Sequence, residues 1–296
     1  NMDEIKVSNL NIEDPRGQAL KAMALSLPIK TWNDNEVFVN SLKQRVKSHG
    51  LANNKMIAAL SSGIFSLDQV KKIHLEYRHA IVQLFTDALL MAQFQTRQLE
   101  PRLAPGDKMA PRALLTLNIL DEFGFTPGVA TNGYYKGHHE YSHYVLYEKL
   151  LNELGVSAAD RNSHIPSEIA KDVRDFLESS FTDYSSIVAL LAVAEEQVIL
   201  FSPPLRKSVA KHEHDVSSGY YRVHGTTTDD DTDGADDDHE NDLWIALTQS
   251  CTPDQQEKIL AMCQGYCDLW DKFWNHQFES NQAAEQTEAV IPAEIA

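Results

Sequence analysis

Residues 184–201 read YSSIVALLAVAEEQVILF. Apart from Ser185, Ser186 and the Glu195-Glu196-Gln197 triplet, this stretch is almost wholly apolar, which marks a buried central helix rather than an amphipathic surface one. It is expected to break at Pro203-Pro204, because proline cannot donate to the helical ladder. The glutamates carry the information. A carboxylate in the middle of an apolar helix suffers heavy desolvation unless a cation pairs with it. No Lys or Arg lies nearby in sequence, so a bound metal is one answer and a distant basic side chain the other.

Working outward, helix signals dominate on both sides. Asp14-Pro15 is a cap and first-turn pair, and Asn35–Ser48 reads as a helix stopping at Gly50. Ser66 and Gln69 form a capping-box pattern ahead of a long amphipathic run to about Gln98. Pro111 opens a helix that ends at Gly124. Thr126–Gly137 reads as a Gly-containing loop, and His138–Leu154 as helix closed by Gly155. Pro166 opens the next helix, Asp236–Gln249 reads as another, and Thr252–Gln255 caps a last one to about Phe278. The fold class expected is all-α, in one bundle domain over 61–278 with an N-terminal helical extension over 1–60 and an acidic flexible tail over 279–296.

Composition narrows the function. Hydrophobic residues make up 43% of 296, enough for a sizeable core. The formal charge is −17, and residues 213–242 hold eleven Asp and Glu against one Arg. Such a surface argues against nucleic acid and against anionic membranes. No run of about 18 apolar residues is present, so no membrane span is expected. The opening residues Asn1–Glu4 are polar and acidic, unlike a secretory signal, and a cytoplasmic protein is expected. Cys251, Cys263 and Cys267, an odd number in a long chain, read as reduced core residues. No dinucleotide fingerprint, Walker loop or nucleophile elbow is found, so an organic redox cofactor has no visible berth.

Four groups could carry chemistry. Glu122 lies in the last turn of an apolar helix, where the dipole disfavours a carboxylate. His143 shares a helical face with Leu146, Tyr147, Leu150 and Leu154, which suits either a core imidazole or a metal ligand; Glu140 and His143 also make a Glu-x-x-His pair. Glu195-Glu196 is the third. The fourth is the acidic stretch from His224 to Asp242, in which Asp236 and His239 share a face with Leu243, Ala246 and Leu247. Asp229, Asp231, Asp233, Gly234 and Glu240 also match a calcium-binding loop, though position eight is Asp236 instead of an apolar residue. A non-catalytic helical protein with a calcium or magnesium site at Asp229–Glu240 is therefore the alternative to an enzyme. Without a cation, Asp229–Asp233 reads as an acidic loop.

Taken in order, these groups resemble the heme-oxygenase-like diiron oxidases and oxygenases. Asp121–Gly124 resembles that family's first Glu motif, Ser142–Gly155 its second core helix with a His ligand, and Glu195–Val198 its third-helix Glu motif. His224, Asp236 and His239 resemble its closing His, Asp and His. The resemblance covers roughly residues 66–275. It implies a heme-oxygenase-like bundle of about seven core helices without haem, holding two Fe(II) ions on Glu122, His143, Glu195, His224, Asp236 and His239. Mixed imidazole and carboxylate donors suit iron. It also implies an O2-dependent reaction, such as N-oxygenation, C–C cleavage or desaturation, on a small amino-acid, amine or fatty-acid substrate. An external electron donor and a second copy of the chain are the further partners it leaves open. Two departures stand out: Glu122 and His143 are widely spaced, which keeps Glu140 open as the first carboxylate, and His224 and Asp236 are twelve apart where the family has H-x3-D-x2-H. Glu195 is favoured over Glu196.

Overall fold

A computed structural model of the chain describes residues 11–224 and 235–295, with side chains throughout except at 235–237 and 283–295. The chain opens with α1 (Pro15–Leu25), capped by the Asp14 carboxylate accepting from Gly17 N–H, and α2 (Ile29–Lys47). The second helix starts six residues before the expected Asn35, with Pro28 at its cap. Next come α3 (Lys55–Ser61) and α4 (Leu67–Tyr77), whose Ser66–Gln69 capping box is formed in both directions. The expected long run to Gln98 is present but interrupted. A wide π-type turn over Arg78–Val82 separates α4 from α5 (Phe85–Gln95). Such turns expose backbone carbonyls; here Arg174 Nη1 donates to His79 O at 3.0 Å.

After α6 (Met109–Glu122) the expected loop is instead a small antiparallel hairpin, β1 (Phe125–Val129) with β2 (Tyr135–Gly137). Its strands are mostly exposed, so no alternating apolar pattern announced them. The helix expected from His138 begins later: His139–Tyr141 is a 3-10 turn, Ser142 is extended, and α7 spans His143–Glu153. Glu140 and His143 therefore do not share a helical face. Then follow α8 (Ala158–Ser163), α9 (Glu168–Glu178), α10 (Tyr184–Ala210), the short α11 (Tyr220–Val223), α12 (Ala235–Ser250) and α13 (Gln256–Ile295), the last reaching past the expected start of the tail at Glu279. The calcium-loop residues 229–234 lie outside the described residues, as does the side chain of Asp236.

The core is organised around α10. It packs against α12, α3, α13 and α5, and twenty-two of its residues are buried. This helix is long and apolar enough to cross a membrane, which the sequence reading did not anticipate, yet 89% of its most apolar window is packed inside the protein. It also runs straight through Pro203 and Pro204. The proline φ is compatible with helix, and Pro204, Leu205 and Val209 beyond the break are buried, so packing holds the segment helical against its propensity. The three cysteines are unpaired and buried, as expected. The N-terminal helices clasp α12 from outside: Arg16 pairs with Asp242 at 2.5 Å, and the Asn35 amide donates to the carbonyls of Thr248 and Cys251 at 2.9 Å.

Candidate metal centre

Three elements bring the first cluster together. Glu122 ends α6, His143 opens α7, and His224 closes α11. The turn joining α6 to the hairpin requires Gly124, which has φ +89°; a Cβ there would lie 2.4 Å from His138 O and 2.7 Å from Ser142 N. This close approach folds the His138–Ser142 segment back over the end of α6. It sets His143 Nδ1 3.0 Å from Glu122 Oε2. The His143 and His224 rings meet edge to face at 4.5 Å, and His224 also lies 4.3 Å from the Tyr220 ring. Ser202 Oγ donates to His224 O at 3.0 Å, tying this imidazole's backbone to α10.

One potential ligand atom each from Glu122, His143 and His224 lies within 4.8 Å of the others. That is the spacing of donors that can share one cation. Glu122 is 3% exposed. Burial pushes its carboxyl up, but His143, His224 and His239 outweigh this and hold it below the ordinary value. A buried carboxylate that keeps its negative charge among imidazoles is a cation-binding arrangement.

Glu195, 1% exposed, projects from α10 into the same space. It lines a cavity of about 30 Å³ together with Glu122, His143, His224, Tyr220 and Tyr144, closed on the other side by apolar side chains including Ile81, Phe85 and Val198. This volume holds on the order of two water-sized occupants. The wide turn after Tyr77 supplies Ile81 and Val82 to the wall. His239 on α12 lies next to this cluster, its Nδ1 3.9 Å from Glu195 Oε1.

Five of the six expected residues are thus described, and the structure brings them together; Asp236 lies outside the described side chains. Glu140 is on the surface, paired with Lys149 at 3.1 Å, so it does not compete with Glu122. Glu196 points away from the cavity to Lys47 Nζ at 2.9 Å, and Glu240 accepts from the same ammonium at 3.2 Å. A distant basic side chain therefore answers for Glu196. The same contacts turn Glu240, the last ligand of the calcium-loop pattern, to Lys47 and Glu196. Tyr220, Ser202 and Asp121 were not visible as site residues in the sequence, because only tertiary structure brings them to the ligands. Tyr77 also lines the cavity, whereas the next residue, Arg78, is bound to Glu148 at 2.5 Å.

No protein-family model matches the sequence. No curated protein matches it either. Solved structures do match in shape. One is a CADD-like protein of unknown function from Nostoc punctiforme, with TM-score 0.58 and 15% identity, covering 84% of this chain and 98% of that one. A domain of unknown function with a heme oxygenase-like fold from Shewanella denitrificans gives 0.58 at 12% identity, covering 83% and 94%. A TenA homolog from Pseudomonas syringae gives 0.52 at 14% identity, covering 84% and 93%. The chain has a heme-oxygenase-like, all-α fold, and within it Glu122, His143, His224, Glu195 and His239 come together.

Proposed function

We propose that the protein is a non-haem diiron enzyme that uses O2 to oxidise a small amino-acid, amine or fatty-acid type substrate. The observation that carries this reading is the buried Glu122–His143–His224 cluster with Glu195 and His239 beside it. The donor set fits: carboxylate oxygens and neutral imidazoles are the ligands of ferrous iron with open positions. The fit also has a physical test within the site, since His239 Nδ1 is buried and makes no hydrogen bond to the described residues. Such a group is costly without a partner.

Glu122, His143 and His224 would hold one iron, and Glu195 and His239 the other, with Asp236 completing the set that the family resemblance implies. When bound, the pair of irons supplies the electrons for O2 reduction and an external reductant restores them. The chain's own residues do the rest. Ile81, Val82, Phe85 and Val198 exclude water and favour an apolar part of the substrate against the centre. Tyr144, at the cavity wall, lies 3.5 Å from both Arg78 Nη2 and Gln83 Nε2, so its hydroxyl is oriented by two donors and can accept from them while presenting its proton to the cavity. Burial raises the Tyr220 hydroxyl well above its ordinary value, which keeps it protonated beside His224.

The deciding experiment is anaerobic reconstitution with Fe(II), metal analysis, then O2-electrode measurement with amino acids, amines and fatty acids. About two irons per chain and substrate-dependent O2 uptake are expected, lost in Glu195→Ala. Protein that takes up no stoichiometric iron, or whose ferrous form never consumes O2, refutes the proposal.

A further inference from the structure

His239 sits between two carboxylates from different helices. Its Nδ1 faces Glu195 Oε1 on α10 at 3.9 Å, and its Nε2 faces Asp121 Oδ2 on α6 at 3.5 Å. The two sides differ. The Glu195 side chain is 2% exposed and the Asp121 side chain 37%, so Nδ1 faces the interior and Nε2 the rim. On the inner side, the separation is too long for a hydrogen bond and short enough for a shared cation. On the outer side, the carboxylate can only accept, so it favours a proton on Nε2.

A neutral imidazole carries one proton, and the group beside one nitrogen decides which nitrogen is left with a lone pair. We propose that Asp121 is the positioning residue for the second half of the centre: it holds His239 in the Nε2–H form, so that Nδ1, together with Glu195, is offered to a divalent cation. Carboxylates that orient metal-bound imidazoles in this way are a recurrent part of metal sites. This rests on the reading that the cavity binds metal. Asp121 is outside the ligand pattern of the resemblance. It is the chain neighbour of Glu122, and the two sit in the last turn of α6, where the helix dipole disfavours both. Placing them there lets one turn of helix address both halves of the centre, Glu122 by direct contact with the His143 side and Asp121 through His239.

Two measurements on the full chain test this. In the metal-free protein, long-range 1H–15N spectra of the histidine rings report the tautomer, with His239 assigned by the signal missing in His239→Gln. Wild type should show Nε2–H, and Asp121→Ala should move His239 toward a mixture. In the second measurement, anaerobic Co(II) titration followed by absorption should show two binding events in the wild type. Asp121→Ala should weaken the second about 10–100-fold and leave the first in place, with partial recovery in Asp121→Glu. Wild-type His239 in the Nδ1–H form, or an Asp121→Ala protein with an unchanged second affinity, overturns the assignment. If Asp121→Ala weakens both events together, Asp121→Leu, which keeps the size and cannot accept a hydrogen bond, decides: an unchanged second event there also overturns it. If the wild type binds fewer than two cations while the tautomer still responds to Asp121, the two-iron reading fails and the tie between Asp121 and His239 stands.

Discussion

Glu76 lies in the last turn of α4 just before the wide turn that feeds the cavity wall, and its carboxylate is held from three elements. His164 Nε2 lies 3.0 Å from Oε2, Ser167 N–H donates to Oε2 at 3.1 Å, and the Gln277 amide donates to Oε1 at 3.2 Å. Burial works to raise this carboxyl, but those hydrogen bonds outweigh it and bring it from the ordinary 4.5 to about 2. At about 1.36 kcal/mol per pH unit, that fall is worth roughly 3 kcal/mol at neutral pH, as an upper figure. The sign follows from linkage. The folded value is depressed, so the stabilisation is complete above the unfolded value of 4.5 and is lost as pH falls towards 2. At pH 3 roughly 1.5 kcal/mol remains by the same relation. Glu76→Gln keeps the shape and removes the charge. Urea unfolding of the metal-free protein, followed by circular dichroism at pH 7, 5, 4 and 3, should show the variant less stable by ~2–3 kcal/mol at pH 7, with the difference about halved at pH 3. Comparing the two proteins at each pH isolates Glu76 from every other titrating group. A difference that stays constant from pH 7 to pH 3 refutes the reasoning, because it would show that Glu76 contributes by packing and not by charge.

The remaining predictions concern the centre and its frame. His143→Ala and His224→Ala should each cut iron content sharply after anaerobic reconstitution while leaving the helical circular-dichroism signal intact; full iron in both would mean that the ligands are misassigned. Burial and the neighbouring Glu196 push the Glu240 carboxyl up to about 8, so the metal-free protein should lose stability as pH rises from about 4.5 to 8. Glu240→Gln should flatten that loss and raise the melting temperature at pH 8.5 relative to wild type, whereas parallel melting curves for the two proteins across pH 5.5–8.5 would exclude a proton held on Glu240. Gly124→Ala should destabilise the fold by roughly 1–3 kcal/mol and also lower iron stoichiometry, since a Cβ at φ +89° collides with the backbone that leads to His143; melting and metal analysis read both effects, and a variant with wild-type iron would show that the approach of the two segments is dispensable.

Much of the centre was legible because burial leaves a trace in sequence. Glu195 stood out as a charge inside an apolar helix, and His143 as an imidazole on a stripe continued by Tyr147 and Leu150, both of which are buried. The same trace was ambiguous one residue on: Glu196 is also buried, and only the fold shows that its cation is Lys47, 149 residues away in the chain. Local rules failed where packing or strain prevailed. Pro203 and Pro204 signalled a break that the buried face of α10 overrides. Glu140 and His143 had helical spacing, but the extended Ser142 between them turns them apart. Asp121 carried no signal at all, because a carboxylate 37% exposed on its side chain looks like any surface acid until His239 is placed beside it.

The Lys47 contact carries an evolutionary corollary. Its ammonium, on α2, lies between two carboxylates on α10 and α12, and Glu196 and Glu240 are each the chain neighbour of a residue in the centre. With a proton held on Glu240 below about pH 8 the pair carries one negative charge, and the Lys47 ammonium is what balances it, since a buried carboxylate without a cation is strongly disfavoured in a low-dielectric setting. The three positions should therefore vary as a unit. A relative that has shed its first two helices, or carries a neutral residue at position 47, should also have exchanged one of the two glutamates for a neutral side chain, and a chimera that grafts this bundle onto a different amino-terminal segment would need the same exchange to fold.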